Sequence, residues 1–365
     1  MTANRETSKN PESSLVVRGF LTRFLEENEH LKIVKSVVNG KQALEAVERR
    51  KFDVIILDIE MPEMDGLTAL PLILEKDPDV SVMIASTLST RNAEVTLKAL
   101  RLGAIECLAK PSSTTAMVGT EDFKKDLVLK AEQLGLRTRK MRAAREGKRE
   151  GQDVVSAEAV EAPSFALADS SERSGGFDVI AIGSSTGGPN ALVKLFEGLK
   201  KKTPQVPIFV TQHMPEKFTS VLAENLSKRT GFTCKEAEDG EVVQAGNVYI
   251  APGGYHMLTK RVSGHIEISL NQDKPENFCR PSVDPMLRSI IDVYQAENVL
   301  GVILTGMGND GQAGCEMLAK NGGIVWAQDK ETSVVWGMPG AVANAGLCTK
   351  VLPLDDIVKE IEIYL

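Results

Sequence analysis

Residues 178–189 read Asp-Val-Ile-Ala-Ile-Gly-Ser-Ser-Thr-Gly-Gly-Pro. The apolar run Val179-Ile-Ala-Ile182 has the character of a buried strand, and Ala191, Leu192, Leu195, Phe196 and Leu199 fall on one face of a following helix. Pro189 suits the first helical turn, and the glycines permit a tight passage from strand to helix. That passage contains Gly183-x-Ser185-x-Gly187, a spacing that lifts a serine hydroxyl above a sheet and aims helix-terminal N–H groups at negative charge. A glycine-rich turn that only binds phosphate fits the pentapeptide about as well.

The next apolar run, Val206-Pro-Ile-Phe-Val-Thr211, ends in Gln212-His213-Met214-Pro215, and Val299-Leu-Gly-Val-Ile-Leu-Thr305 runs into Gly306-Met-Gly-Asn-Asp310-Gly311. Strands alternating with helices predict a parallel sheet, in which functional groups collect at the strands' carboxyl ends. Ser185, His213 and Asp310 each follow such a strand, which suits a nucleophile, its base and an acid that orients the imidazole. Gly306-x-Gly308-x-x-Gly311 also satisfies a dinucleotide-binding fingerprint, with Asp329 near the distance of a ribose-binding acid. That alternative predicts a nicotinamide-dependent enzyme or a nucleotide-binding module.

Residues 31–111 show the same alternation. Strands are expected at 32–37, 54–57, 80–85 and 105–109, and helices at 42–50 and 93–102. Asp58, Ser86 with Thr87, and Lys110 end three of these strands, so an acid, a hydroxyl and an amine converge as a phosphoryl-accepting site would require. Residues 5–11 are polar, so no apolar strand precedes this half.

A chain of 365 residues exceeds what one core usually serves, so two domains are expected. A net charge of -7 gives no reason to expect nucleic acid as a partner. The basic stretch Arg137, Arg139, Lys140, Arg142, Arg145, Lys148 and Arg149 reads as a solvated helix end and linker rather than a docking site. Cys107, Cys234, Cys279, Cys315 and Cys348 show no C-x-x-C pair or metal-ligand spacing and read as buried thiols. No apolar run approaches membrane-spanning length and the N-terminus lacks a signal-peptide core, so a cytoplasmic protein without membrane insertion is expected.

Asp58-x-x-Met-Pro62, Asp65-Gly66, Ser86 and Lys110-Pro111 resemble a response-regulator receiver domain over roughly residues 14–112. The resemblance implies Asp58 as phosphoacceptor, Ser86 and Lys110 as support for the phosphoryl oxygens, and an acidic pair that binds Mg²⁺. Glu12 and Ser13 stand where that pair belongs, which leaves Glu12 as its one carboxylate for a cation that prefers oxygen ligands. The expectation is that Asp58 is phosphorylated poorly or not at all; the alternative is that Glu12 rescues the site.

Seven motifs in order resemble the catalytic domain of the chemotaxis methylesterase family, CheB. They are Ile182-Gly-Ser-Ser-Thr-Gly-Gly-Pro189, Gln212-His-Met-Pro215, Glu236-Ala-Glu-Asp-Gly240, Tyr249-Ile-Ala-Pro-Gly253, Arg280-Pro-Ser-Val-Asp284, Leu304-Thr-Gly-Met-Gly-Asn-Asp-Gly311 and Gly337-Met-Pro339. The resemblance implies hydrolysis of glutamate methyl esters on methyl-accepting chemoreceptors, deamidation of receptor glutamines, and a role in chemotactic adaptation. It assigns Ser185 as nucleophile, His213 as base, Asp310 as its orienter, Thr186 as support for the histidine and the Met307 N–H as an oxyanion donor. No cofactor is implied for the esterase, and the chemotaxis histidine kinase is the implied phosphodonor. An inactive receptor-binding adaptor is the third class kept open.

The expected fold is α/β: a receiver-like (flavodoxin-like) parallel-sheet domain plus a doubly wound parallel α/β hydrolytic domain. Expected boundaries are an atypical polar N-terminus at 1–13, the receiver-like domain at 14–125, a helix end and flexible linker at 126–176, and the catalytic domain at 177–365. This layout predicts that the receiver packs over the Ser185 edge and that phosphorylation relaxes the packing. With the first strand degenerate, deleting residues 1–145 is expected to change the esterase rate little.

Overall fold

In the N-terminal half, short polar side chains start the helices and apolar runs make the strands. The computed structural model describes residues 11–87, 89–110, 121–150, 167–168, 175–199 and 205–364. Helix α1 spans Pro11–Glu26 and α2 Gly40–Arg49, followed by strand β1 Val54–Asp58, α3 Gly66–Lys76, β2 Ser81–Thr87, α4 Thr90–Arg101, β3 Glu106–Lys110 and α5 Glu121–Glu150. Asn39, Asp65 and Ser89 cap α2, α3 and α4 by accepting from the backbone N–H three residues on, which typically contributes about 1 kcal/mol each. β1, β2 and β3 form a parallel sheet, with Asp58 level with Ala85 and Thr87 level with Lys110.

The strand expected at 32–37 is not formed: residues 31–37 carry no strand ladder. A strand needs a neighbour's backbone, and among the described residues β1 pairs with β2 alone. Between β1 and residues 31–38 lies a cleft of about 830 Å³, lined also by Val17 and Leu21 of α1 and by Ala131 and Gly135 of α5. The polar segment 5–11 lies largely outside the described residues; its last residue, Pro11, begins α1.

α5 continues through residues that read as a helix end and linker. Leu127, Ala131 and Leu134 bury one face of it against Met83 and Leu108 of the sheet. The basic stretch is not simply solvated. Arg139 and Arg142 meet Asp53 at 2.8 and 3.1 Å, Arg142 meets Asp77 at 2.7 Å, and Arg145 meets Asp79 at 3.0 Å. These pairs pin the helix to the start of the neighbouring strand and loops. The rest of the expected linker, 151–166 and 169–174, lies outside the described residues.

The C-terminal half contains β4 Val179–Ser184, α6 Gly188–Gly198, β5 Ile208–Gln212, α7 Phe218–Thr230, β6 Thr233–Glu236, β7 Asn247–Ile250, β8 His256–Val262, β9 His265–Asn271, α8 Val283–Tyr294, β10 Val299–Ile303, α9 Gln312–Lys320, β11 Ile324–Gln328, α10 Met338–Asn344, β12 Lys350–Leu352 and α11 Leu354–Tyr364. Among the described residues the main sheet has the order β12-β11-β10-β4-β5-β7-β6, and all its pairs are parallel. Side chains alternate between its faces. Ile180, Ile182, Ile208, Val210, Leu300 and Val302 join the core beneath α6, α7 and α11. Val179, Ala181, Phe209, Val299 and Ile303 join the one beneath α8, α9 and α10. Each Val, Leu, Ile or Phe among them, fully buried, contributes about 1.5–3 kcal/mol.

The halves touch. α4 packs on α6 and α7, the Asn190 side chain donates to Leu100 O at 3.0 Å, and Met307, Val334 and Val335 join the apolar cluster beneath α5. No helix among the described residues is long and apolar enough to cross a membrane.

Candidate active site

Chain order reverses across the sheet at β4, which has β5 on one side and β10 on the other, so a crevice opens at their carboxyl ends. Ser185, His213 and Asp310 follow these three strands. β4 and β5 are in register at Ser184 and Gln212, and the His213 N–H donates to Ser184 O at 3.1 Å, so Ser185 and His213 are neighbours across the strand ends. On the other side the Ser185 N–H donates to Thr305 O at 3.0 Å.

The serine turn is tight. Gly187 has φ +79°, and a Cβ on Gly188 would stand 1.9 Å from Gln212 Oε1, so side chains are excluded at both positions. Gln212 braces the turn: its Nε2 donates to Ser185 O at 2.9 Å and its Oε1 accepts from Ser184 Oγ at 2.7 Å. Ser185 Oγ has no hydrogen-bond partner among the described residues. Nucleophile–base contacts are often loose without substrate.

Asp310 is the most heavily held group. Its Oδ2 lies 2.7 Å from His213 Nε2 and accepts from the Val283 N–H at 2.7 Å. Its Oδ1 accepts from Ser282 Oγ at 2.7 Å, Asn277 Nδ2 at 2.8 Å and the Gly311 N–H at 3.0 Å. Val283 opens α8, so the helix dipole also favours a negative charge here. Burial pushes the carboxyl upward, but the histidine and these donors prevail and hold its pKa down at about 2. For His213, burial favours the neutral ring, while Cys279 and Asp310 favour the cation and raise its pKa overall. With Nε2 committed to Asp310, Nδ1 is the nitrogen left to accept a proton, and Cys279 Sγ lies 3.4 Å from it.

Thr186, which the resemblance assigns to supporting His213, donates instead to Glu106 Oε2 of β3 at 2.6 Å. The Met307 N–H meets no acceptor among the described residues, and its loop abuts the serine: a Cβ on Gly306 would stand 2.9 Å from Ser185 Cβ. Asp284 braces the site, accepting from the Gly314 N–H at 2.7 Å and Asn277 at 2.9 Å, and burial raises its pKa. Cys279 departs from the buried-thiol reading, since it is half-exposed, unlike the other four cysteines. The brace Gln212, the holders Ser282 and Asn277, and Glu106 were not singled out by sequence reasoning. Gln212 and Ser282 lay inside quoted motifs, but Glu106 gave no signal.

At the receiver end, the strands bring Asp58 and Lys110 together at 2.6 Å, with Ser86 on the strand between them. Glu12 falls in the first turn of α1 rather than after a strand, and its side chain lies outside the described residues. Among the described residues Asp58 is bound by Lys110, and no group of three or more potential metal-ligating side chains forms. Asp329, the candidate ribose acid, caps its own turn by accepting from Thr332 N and Oγ1.

Fold and site together define a response regulator whose output is a parallel-sheet α/β catalytic domain. The family model described as CheB methylesterase matches residues 180–361, and that of the response regulator receiver domain matches residues 12–120. A Rhodospirillum centenum protein named protein-glutamate methylesterase/protein-glutamine glutaminase of group 2 operon is 46% identical over 359 residues, covering 95% of this chain and 90% of that protein. A Rhodospirillum rubrum protein named protein-glutamate methylesterase/protein-glutamine glutaminase 1 is 49% identical over 357 residues, covering 95% of this chain and 92% of that one. The crystal structure of the Thermotoga maritima CheB methylesterase catalytic domain is 41% identical, with a TM-score of 0.49, covering 53% of this chain and all of that one. The chain belongs to the CheB methylesterase family.

Proposed function

We propose that this chain hydrolyses glutamate methyl esters on methyl-accepting chemoreceptors and deamidates receptor glutamines, in the cytoplasm, with Ser185 as nucleophile. The observation that supports the mechanism is the His213 Nε2 to Asp310 Oδ2 contact of 2.7 Å, which occupies Nε2 and leaves Nδ1 as the nitrogen to take the Ser185 proton. Nδ1 takes the Ser185 proton as Oγ attacks the acyl carbon. The same proton then goes to the departing methanol or ammonia, and water releases the glutamate from the acyl-enzyme by the reverse relay. Asp310 stabilises the imidazolium in both steps. The Met307 N–H is the oxyanion donor; losing one such donor typically reduces the rate by about 10²–10³-fold.

The receiver is the regulatory part; Asp58 is its acceptor position, with Ser86 and Lys110 as support and the chemotaxis histidine kinase as the donor it would use, but phosphorylation there is impaired or absent. Methanol and ammonia release from receptor cytoplasmic fragments, carrying methylated glutamate or glutamine at the modified positions, tests the reading. Methanol without ammonia would remove the deamidase half, and neither product would favour a receptor-binding adaptor.

A further inference from the structure

The turn at residues 276–279 holds a thiol against the proposed catalytic histidine. Glu276 and Cys279 exchange backbone hydrogen bonds of 3.2 and 2.8 Å, and Asn277 and Phe278 between them have φ of 52° and 63°. Side-chain-bearing residues persist in that conformation only where their surroundings hold them. Asn277 does the holding, since its Nδ2 donates to both Asp284 and Asp310. The result is a row of Cys279 Sγ, His213 and Asp310, with contacts of 3.4 and 2.7 Å, built on the histidine proposed above as the base for Ser185.

A thiolate, rather than a thiol, is the reactive species, and an adjacent imidazole generates it. The remaining cysteines are poor competitors. Cys107, Cys234 and Cys348 are buried, with pKa values pushed up to about 12, and burial raises Cys315 well above its ordinary value. Cys279 alone among the five is half-exposed.

We propose that Cys279 is an oxidant-sensitive modification site: its thiolate takes an oxygen from hydrogen peroxide, and the sulfenic acid so formed withdraws His213 from Ser185. The shutdown rests on the catalytic reading above; the modification itself does not. His213 Nδ1 takes the thiol proton. The sulfur lone pair attacks one peroxide oxygen, an S–O bond forms as the O–O bond breaks, and the departing hydroxide takes the imidazolium proton and leaves as water. Cys279 loses two electrons and the peroxide gains them. The new S–O–H lies beside Nδ1 and donates to the lone pair that Ser185 needs. Reduction by a thiol restores the site.

The test treats the full-length protein with hydrogen peroxide in the presence of dimedone, maps the adducts by mass, and follows methanol release from a methylated receptor fragment. The expected result is one adduct, on Cys279, with methanol release lost in step and recovered when dithiothreitol replaces dimedone. Cys279→Ser takes no adduct, and its own release, whatever its level, is unchanged by peroxide. His213→Gln slows labelling of Cys279 by about tenfold or more. Labelling spread over the buried cysteines, or Cys279 labelled with release intact, overturns the proposal. A protein that releases no methanol before treatment counts against the hydrolase reading instead, and labelling of Cys279 and its dependence on His213 then decide the modification site alone.

Discussion

The Thr186 hydroxyl donates to Glu106 Oε2 at 2.6 Å, joining the residue after Ser185 to the strand that ends in Lys110. Lys110 in turn holds Asp58 at 2.6 Å. One short strand therefore links the acceptor end of the receiver to the serine turn. Half-buried Lys130 lies nearby, and its pKa is raised despite desolvation by Glu106 first and by Asp126.

The latch reverses the expectation drawn from the degenerate first strand. Deleting residues 1–150 is predicted to raise methanol release by about 5- to 150-fold, the usual span of a coupling between sites. Glu106→Ala in the full chain should reproduce part of that rise. Equal rates for the full and truncated chains in a coupled methanol assay would show that the receiver does not restrain the site.

The raised pKa of His213 fixes the sign of the pH dependence. The base must be neutral to accept a proton, so kcat/KM should rise with pH through a midpoint above the ordinary imidazole value of 6.5. Asp310→Asn removes a charge that favours the cation, so it should move the limb down and lower kcat by about 10⁴-fold. For folding, the depressed Asp310 contributes stability that is present above pH 3.8 and lost as pH falls toward about 2. The raised His213 contributes stability that is present below pH 6.5 and lost as pH rises through its folded value. A pH–rate profile, with unfolding of the two proteins followed toward both acid and alkaline pH, checks these signs.

Asp58 is predicted to accept phosphate poorly. Among the described residues it is held by Lys110, and no group of three or more potential metal-ligating side chains forms. Intact-mass measurement after incubation with a small phosphodonor and Mg²⁺ should show a minor phosphorylated fraction, and stoichiometric addition contradicts the prediction.

Phe278 stands beside the His213 contact and is 85% exposed. An aromatic side chain held outward at the mouth of a site is suited to anchoring a receptor helix. Phe278→Ala should raise KM for a receptor fragment by about 5- to 30-fold, and leave kcat/KM for a small methyl ester nearly unchanged.

The catalytic half was legible because its signals are local. Val179 to Ile182 alternate between two cores, Gly187 and Gly188 meet a steric limit, and the strands before Ser185, His213 and Asp310 lie side by side. The misses depend on partners distant in sequence. Residues 32–37 have strand composition but pair with no strand among the described residues. Thr186 faces a carboxylate from the other half, and Cys279 reaches His213 only because two non-glycine residues adopt positive φ. No periodicity or spacing carries that information.

The most direct test of the account is methanol release from methylated chemoreceptor cytoplasmic fragments by the intact protein and by Ser185→Ala. Release by the first and none by the second is the predicted result, fixing activity and nucleophile together. Equal release from both proteins would contradict the assignment of Ser185, and release from neither would contradict the esterase reading itself.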